Sequence, residues 1–150
     1  MAEDFAEMLN GGLDGWSVAM GLRFVRATAD EVVAELEVGA AHRQPYGLVH
    51  GGVYAGMVES VASVGAGVYA MALGRTIVGL ENHTSFLHAV REGILCATAV
   101  PLSRGKLTQV WEASIRDASE RVVATGRVRF LGLDPGAAVA GEKVAIKPTS

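Results

Sequence analysis

The chain is 150 residues long, half of them apolar and only 19% charged, with a formal net charge of −3. That length suits one domain, residues 1–150, with a core of its own, and the composition excludes intrinsic disorder. The mild negative charge and the lack of a polybasic run argue against nucleic acid or an anionic membrane as partner. The single cysteine, Cys96, can make no intrachain disulfide, so a reducing, cytoplasmic compartment is expected. The acidic start, Met1-Ala2-Glu3-Asp4-Phe5, does not match a secretory signal.

In chain order, Phe5 to Leu9 reads as a short helix ended by Asn10-Gly11-Gly12. Met20 to Ala27 suits a first strand. Glu31 to Val38 is a clearer one: Val32, Ala34, Leu36 and Val38 share one face, and Glu31, Glu35 and Glu37 the other. This is the pattern of a half-buried antiparallel strand. A turn-rich loop, Gln44 to Gly52, leads into a long apolar helix that Gly74-Arg75 closes.

Four more strands are predicted, roughly Thr76–Leu87, Glu92–Leu102, Lys106–Arg116 and Arg121–Leu131, with turns at Ser103-Arg104-Gly105 and Asp117-Ala118-Ser119. From about residue 134 the tail is rich in Gly, Ala and Pro and is expected to be loosely held. Two strands, a long buried helix and a four-strand meander define an α+β fold. One strongly curved antiparallel sheet wrapped around one long central helix is the economical packing. The helix is long and apolar enough to pass for a membrane span. Against that reading stand central Glu59, Ser60 and Ser63, the glycines at 56, 65 and 67, and the alternating strands around it.

Glu59 is the one charge between Val53 and Leu73. An ionised carboxylate in a buried helix is costly unless it is hydrogen-bonded or has a task, and no Lys or Arg on the helix pairs with it. Gly51 and Gly52 leave N–H groups unshielded at the positive end of the helix dipole. A carboxylate and exposed donors together form a kit for attacking a carbonyl. Gly51 and Glu59 are eight residues apart, about 12 Å along a helix, so one carbonyl cannot easily touch both from a single chain. The glutamate is therefore expected from a neighbouring subunit, in a homo-oligomer that is at least a dimer.

The stretch Gln44-Pro45-Tyr46-Gly47-Leu48-Val49-His50-Gly51-Gly52, with Glu59 nine residues beyond His50 and Ser63 four further on, resembles the hotdog-fold thioesterases. Gly79-Leu80-Glu81-Asn82-His83-Thr84-Ser85-Phe86 resembles their strand after the helix. The likeness spans roughly Met20 to Leu131 and is closest to the phenylacetate-pathway and 4-hydroxybenzoyl-CoA thioesterases with a helix glutamate. It implies an acyl-CoA substrate, an aromatic acyl group first, no cofactor beyond the coenzyme A of the substrate, and a dimer of dimers.

The resemblance implies that the Gly51 N–H polarises the thioester carbonyl, where otherwise Gly51 and Gly52 simply give a tight entry into the helix. It also implies that Glu59 is nucleophile or general base, where otherwise it is a structural carboxylate capping a buried hydrogen-bond network. Gln44 would bond the carbonyl or the hydrolytic water, or is an ordinary loop residue. His50 would arrange the oxyanion site, or caps its own backbone. Ser63, at i+4 from Glu59, orients the carboxylate or the water, or bonds back to its own helix. Tyr46 lines the acyl pocket or packs on the core. Asn82 and His83 contact ligand at a dimer seam, or bond across strands. Arg91, Arg104 and Lys106 fall near predicted turns and are either solvated charges or cations for the nucleotide phosphates. Where many relatives show Arg-Pro this chain has His88-Ala89, with Arg91 or Arg104 as the substitute cation.

The four histidines and Cys96 make no tight ligand cluster, so no metal is expected. No Gly-x-Ser-x-Gly elbow occurs, and no Asp-x-Asn-x-x-His hydratase signature. The rival readings are a catalytically silent acyl-CoA binder and a thioesterase for acyl-carrier-protein substrates, the latter less favoured by the net −3.

Overall fold

The structure, a computed structural model, describes residues 2–12 and 15–147. The elements run α1 (Ala6–Gly12), α2 (Trp16–Met20), β1 (Arg23–Ala27), β2 (Val32–Glu37) and a 3-10 turn at Ala40–His42. Then follow α3 (Gly51–Ala72), β3 (Thr76–Phe86), β4 (Ile94–Arg104), β5 (Thr108–Arg116) and β6 (Val122–Leu133). The tail expected to be loosely held carries a small hairpin, β7 (Ala138–Val139) with β8 (Glu142–Lys143).

The six long strands form one antiparallel sheet in the order β1-β2-β4-β5-β6-β3. The α3 connection carries the chain from β2 to the far edge, so β3 pairs with β6. Alternation decides what faces inward. In β2 it is Val32, Ala34 and Leu36; in β5 it is Gln109, Trp111, Ala113 and Ile115; in β6 it includes Val128 and Phe130. These side chains pack on the buried residues of α3, among them Met57, Val58, Val61 and Ala62. Bulges in β1, β3 and β4 help the sheet bend around the helix. The 22-residue helix meets the length and hydropathy of a membrane span, but here it is the core helix of the sheet.

Small residues on α3 let large ones approach. A Cβ on Gly56 would lie 2.3 Å from the Trp16 indole, and one on Gly65 would lie 2.4 Å from the Trp111 indole. Nine residues apart, the two glycines seat the rings on opposite sides of the helix. The buried polar atoms around Trp111 are satisfied: its Nε1 donates to Gln109 Oε1 (2.9 Å), and Gln109 Nε2 donates to the Ala66 carbonyl (3.1 Å).

Several boundaries differ from those expected. β4 runs on through Ser103 and Arg104, which pair with Val110 and Gln109, so the turn expected at Ser103-Arg104-Gly105 falls at 105–107. The first helix runs through Asn10-Gly11-Gly12 instead of stopping there. Asn10 acts as a tether: its Nδ2 donates to the Phe24 carbonyl (2.7 Å) and its Oδ1 accepts from the Phe24 N–H (2.9 Å). The first strand starts at Arg23, because Trp16–Met20 forms a short helix closed by left-handed Gly21 (φ 73°).

Candidate active site

Glu59 projects from the middle of α3 toward β3. Its Oε1 accepts from Ser63 Oγ (3.2 Å) and its Oε2 from Asn82 Nδ2 (3.0 Å). Asn82 Nδ2 also donates to the Ala55 carbonyl (3.0 Å), while Thr84 Oγ1 donates to Asn82 Oδ1 (2.6 Å). With its oxygen engaged by Thr84, the Asn82 amide must turn its NH2 toward α3. A carboxylate and three neutral polar groups thus form one network between helix and strand. Glu59 is half-buried and opens, with Ser60, Ser63 and Val64, onto a cavity of about 540 Å³ walled by α2 and β1. Ser60 Oγ lies 3.1 Å from Ser17 Oγ across it.

Ser63 therefore bonds the carboxylate rather than its own helix backbone. Asn82 bonds Glu59 rather than a neighbouring strand. His83, the next residue, lies on the other face of β3 with Ser85, Glu112, Thr125 and Arg127, away from Glu59. Strand alternation thus separates His83 from Asn82 and the Glu59 network.

The second cluster surrounds the start of α3. His50 is the N-cap: its Nδ1 accepts from the Gly52 N–H (2.8 Å), which puts the ring proton on Nε2. The His50 carbonyl takes the Val53 N–H (2.9 Å). The Gly51 N–H has no acceptor among the described residues. A Cβ at Gly51 would lie 2.6 Å from the Phe86 ring, so the absent side chain lets Phe86 sit against the helix start. Tyr54 is buried behind it, ring centroid 5.9 Å from that of Phe86, and burial pushes its phenol pKa up.

The Gln44–His50 loop is held to the segment after β3. Val49 N–H donates to the Val90 carbonyl (2.8 Å), Arg91 Nη1 to the Tyr46 carbonyl (2.9 Å) and Arg43 Nε to the Arg91 carbonyl (2.8 Å). Gln44 Oε1 accepts from the Tyr46 N–H, which leaves the Gln44 side-chain NH2 as its remaining donor. Tyr46 is 82% exposed, so it does not pack on the core. His88 is exposed in the bend after β3.

The candidate cations separate. Arg43 and Arg91 interlock near the helix start, and neither meets a carboxylate among the described residues. Arg104 pairs with Asp30 (2.9 Å) and covers the Tyr69 ring at 4.7 Å, and Lys106 lies in the following turn, beside Tyr69 and Leu73. Both thus sit at the C-terminal end of α3, away from Gly51. Arg43 did not emerge from the sequence, and Thr84 and Phe86 emerged only as part of the strand that resembles the family's, without a role, although alternation from Asn82 reaches both on one face.

The sequence profile described as the thioesterase superfamily matches residues 46–124, a span that holds the loop from Tyr46 on, α3, the Glu59 network and the Gly51 turn. The chain belongs to the thioesterase superfamily. This thioesterase is 34% identical over 113 residues to the 1,4-dihydroxy-2-naphthoyl-CoA hydrolase of Listeria monocytogenes, covering 75% of this chain and 91% of the relative. It is 33% identical over 109 residues to the proofreading thioesterase EntH of Cronobacter turicensis, covering 73% and 79%. The crystal structure of AziG from S. sahachiroi superposes with a TM-score of 0.77 at 40% identity, over 81% of this chain and 98% of that one. The fold is the hotdog, and the chain is a thioester hydrolase.

Proposed function

We propose that this thioesterase hydrolyses an acyl-CoA thioester to the free acid and coenzyme A, at a site shared between two copies of the chain. The observation that carries the reading is the Glu59 carboxylate, fixed by Ser63 and Asn82 and open to a cavity. The Gly51 N–H, at the positive end of α3 and without an acceptor of its own, serves as the donor to the thioester oxygen. Glu59 either attacks the carbonyl carbon or takes a proton from the attacking water. The C–S bond then breaks and CoA leaves as the thiolate, which takes up a proton. Where Glu59 is the nucleophile, the acyl group remains on it as a mixed anhydride, and a water then hydrolyses this to the free acid and restores the carboxylate. Gln44, through its spare NH2, orients the carbonyl or the water. Asn82 and Ser63 hold the carboxylate in line, and His50 holds the turn that presents Gly51.

Eight residues of helix, about 12 Å, separate Gly51 from Glu59 in one chain, which is why the donor and the carboxylate are assigned to different subunits. β3 supports this. It is an edge strand whose Gly79–His83 segment is exposed, and it carries Asn82 next to Glu59. A second copy pairing along that edge satisfies its open backbone groups. Arg43 and Arg91 are the cations offered to the nucleotide phosphates, with His88 on the same rim. Arg104, already paired with Asp30, and Lys106 lie at the other end of α3 in the same chain, which favours Arg43 and Arg91 over them. An aromatic acyl group is the first choice, in keeping with the naphthoyl ester named for the Listeria relative.

Free-thiol release from benzoyl-, phenylacetyl- and alkanoyl-CoA tests the reading, comparing wild type with a folded Glu59→Ala variant. Turnover that falls by about 10²–10⁴-fold supports a carboxylate mechanism. Equal rates in the two proteins sink Glu59 as the reacting group. Binding of CoA esters without turnover in either would favour the silent binder.

A further inference from the structure

A second cavity, about 420 Å³, runs along the outer face of α3 beyond the catalytic carboxylate. It shares Leu9, Ser63 and Val64 with the cavity that Glu59 opens onto, so the two adjoin at the same serine that bonds Glu59. Its floor is Val64, Gly67, Val68 and Met71 of α3. One wall is α1, through Met8 and Leu9, and the other is the tail beyond β8, through Val144, Ala145 and Ile146. Its lining is apolar almost throughout. The one charged residue on it, Arg75, is tied to the Lys106 carbonyl (2.8 Å) and to Asp134 (2.6 Å), and so offers no free charge.

Both walls lie outside residues 46–124, the span matched by the superfamily. They are also anchored. Asp4 Oδ1 accepts the Ala6 N–H (3.0 Å) and the Ala27 N–H (2.9 Å), and Asn10 grips Phe24, so α1 is fixed to β1 at both ends. The Val144 N–H donates to the Ala137 carbonyl (3.2 Å), which holds the tail where it leaves its hairpin.

We infer that the terminal segments of this chain, α1 and the 144–146 tail, set its acyl specificity by walling a groove for the part of the acyl group distal to the thioester. The groove takes an apolar end, ring or alkyl chain, in preference to a polar one, because apart from Thr76 its polar lining, Ser63 and Arg75, is already engaged and the rest is apolar. The inference rests on Glu59 being the reacting carboxylate, since the groove is an acyl groove only if it starts there. Each methylene buried in it should raise kcat/KM about fourfold until the groove is filled.

The test is thiol release from acetyl-, hexanoyl-, decanoyl- and 10-hydroxydecanoyl-CoA by the full chain and two variants. Gly67→Leu fills the floor: a Cβ there meets nothing within 4 Å, and leucine suits a helix better than glycine. Ile146→Asp puts a charge on the tail wall. In wild type, decanoyl-CoA should exceed both acetyl- and 10-hydroxydecanoyl-CoA by about tenfold or more in kcat/KM. In each variant the decanoyl-to-acetyl ratio should fall by about tenfold. A wild type that turns over all four esters alike overturns the groove and leaves the thioesterase reading standing. Ratios in both variants within twofold of wild type also overturn it, as does a Gly67→Leu protein whose oligomer dissociates while its ratio holds, which would make the groove a subunit contact. No turnover of any ester by wild type overturns the functional reading and the groove together.

Discussion

At Glu59 the chain places an acid among apolar neighbours and then binds both of its oxygens with neutral donors. Neutral donors orient the carboxylate without neutralising it, unlike a lysine or arginine partner. Asn82 is the stiffer of the two, because Thr84 fixes its oxygen and Ala55 shares its NH2. Asn82→Ala should therefore lower kcat by up to about 10²-fold with a smaller change in KM, since it frees the carboxylate to leave its working geometry. Steady-state kinetics on one good CoA ester would show this, and an unchanged kcat would reduce Asn82 to a strand residue. The sequence marks Glu59 readily, as the one charge in a long apolar run. It does not mark the pairing with Asn82. Which side chains of β3 face α3 depends on the bulge between Gly79 and Glu81, and a bulge that shifts register leaves little trace in alternation.

Among the elements, the long strands were legible because alternation is a direct record of one buried and one solvated face. α2 was not, since five residues between glycines carry no usable period. Trp111 was read only as a strand residue, yet its ring is fully buried where Gly65 leaves room on α3. Trp111→Ala should cost about 3–5 kcal/mol in a denaturant melt, through the cavity left between sheet and helix. For α1 the expectation concerns pH. Backbone N–H groups of Ala6 and then Ala27 hold the Asp4 carboxyl below its ordinary value of 3.8. A depressed folded pKa stabilises the docked helix above the unfolded value, and this is lost as pH falls through the lower, folded one. Hydrogen exchange in α1 should therefore quicken, relative to α3, as pH drops below about 3.8, and an Asp4→Asn variant should lose that extra dependence.

On the scale of the whole molecule, one edge of the sheet, β1, is flanked by α1, while the other, β3, exposes Leu80 (47%) near Glu59 and Phe86 (58%) at the start of α3. A long uncovered edge invites pairing, and in the proposed dimer a second copy would bring a helix start within reach of Glu59. A charge on that edge should weaken the pair. Leu80→Lys is expected to move the protein toward monomer in light scattering and to lose turnover in the same proportion. The sequence already contained the distance from Gly51 to Glu59, which is helix arithmetic. The position of Arg104 and Lys106 at the other end of α3 was not in it, because turns that look alike in sequence can lie at opposite ends of a sheet.

The shared site is tested most directly by mixing subunits. Gly51→Pro removes the N–H assigned to the carbonyl. Proline is tolerated at a first helical position, and His50, with φ −65° and ψ 135°, already has the conformation that precedes it. Paired with Phe86→Ala to make room for the ring, it yields one inactive protein; Glu59→Ala yields another. Unfolded and refolded together in equal amounts, the two should recover about a quarter of wild-type turnover, because half the dimers are mixed and each keeps one intact site. No recovery, from mixtures shown to contain mixed dimers, would contradict a site that draws its carboxylate and its carbonyl donor from different chains.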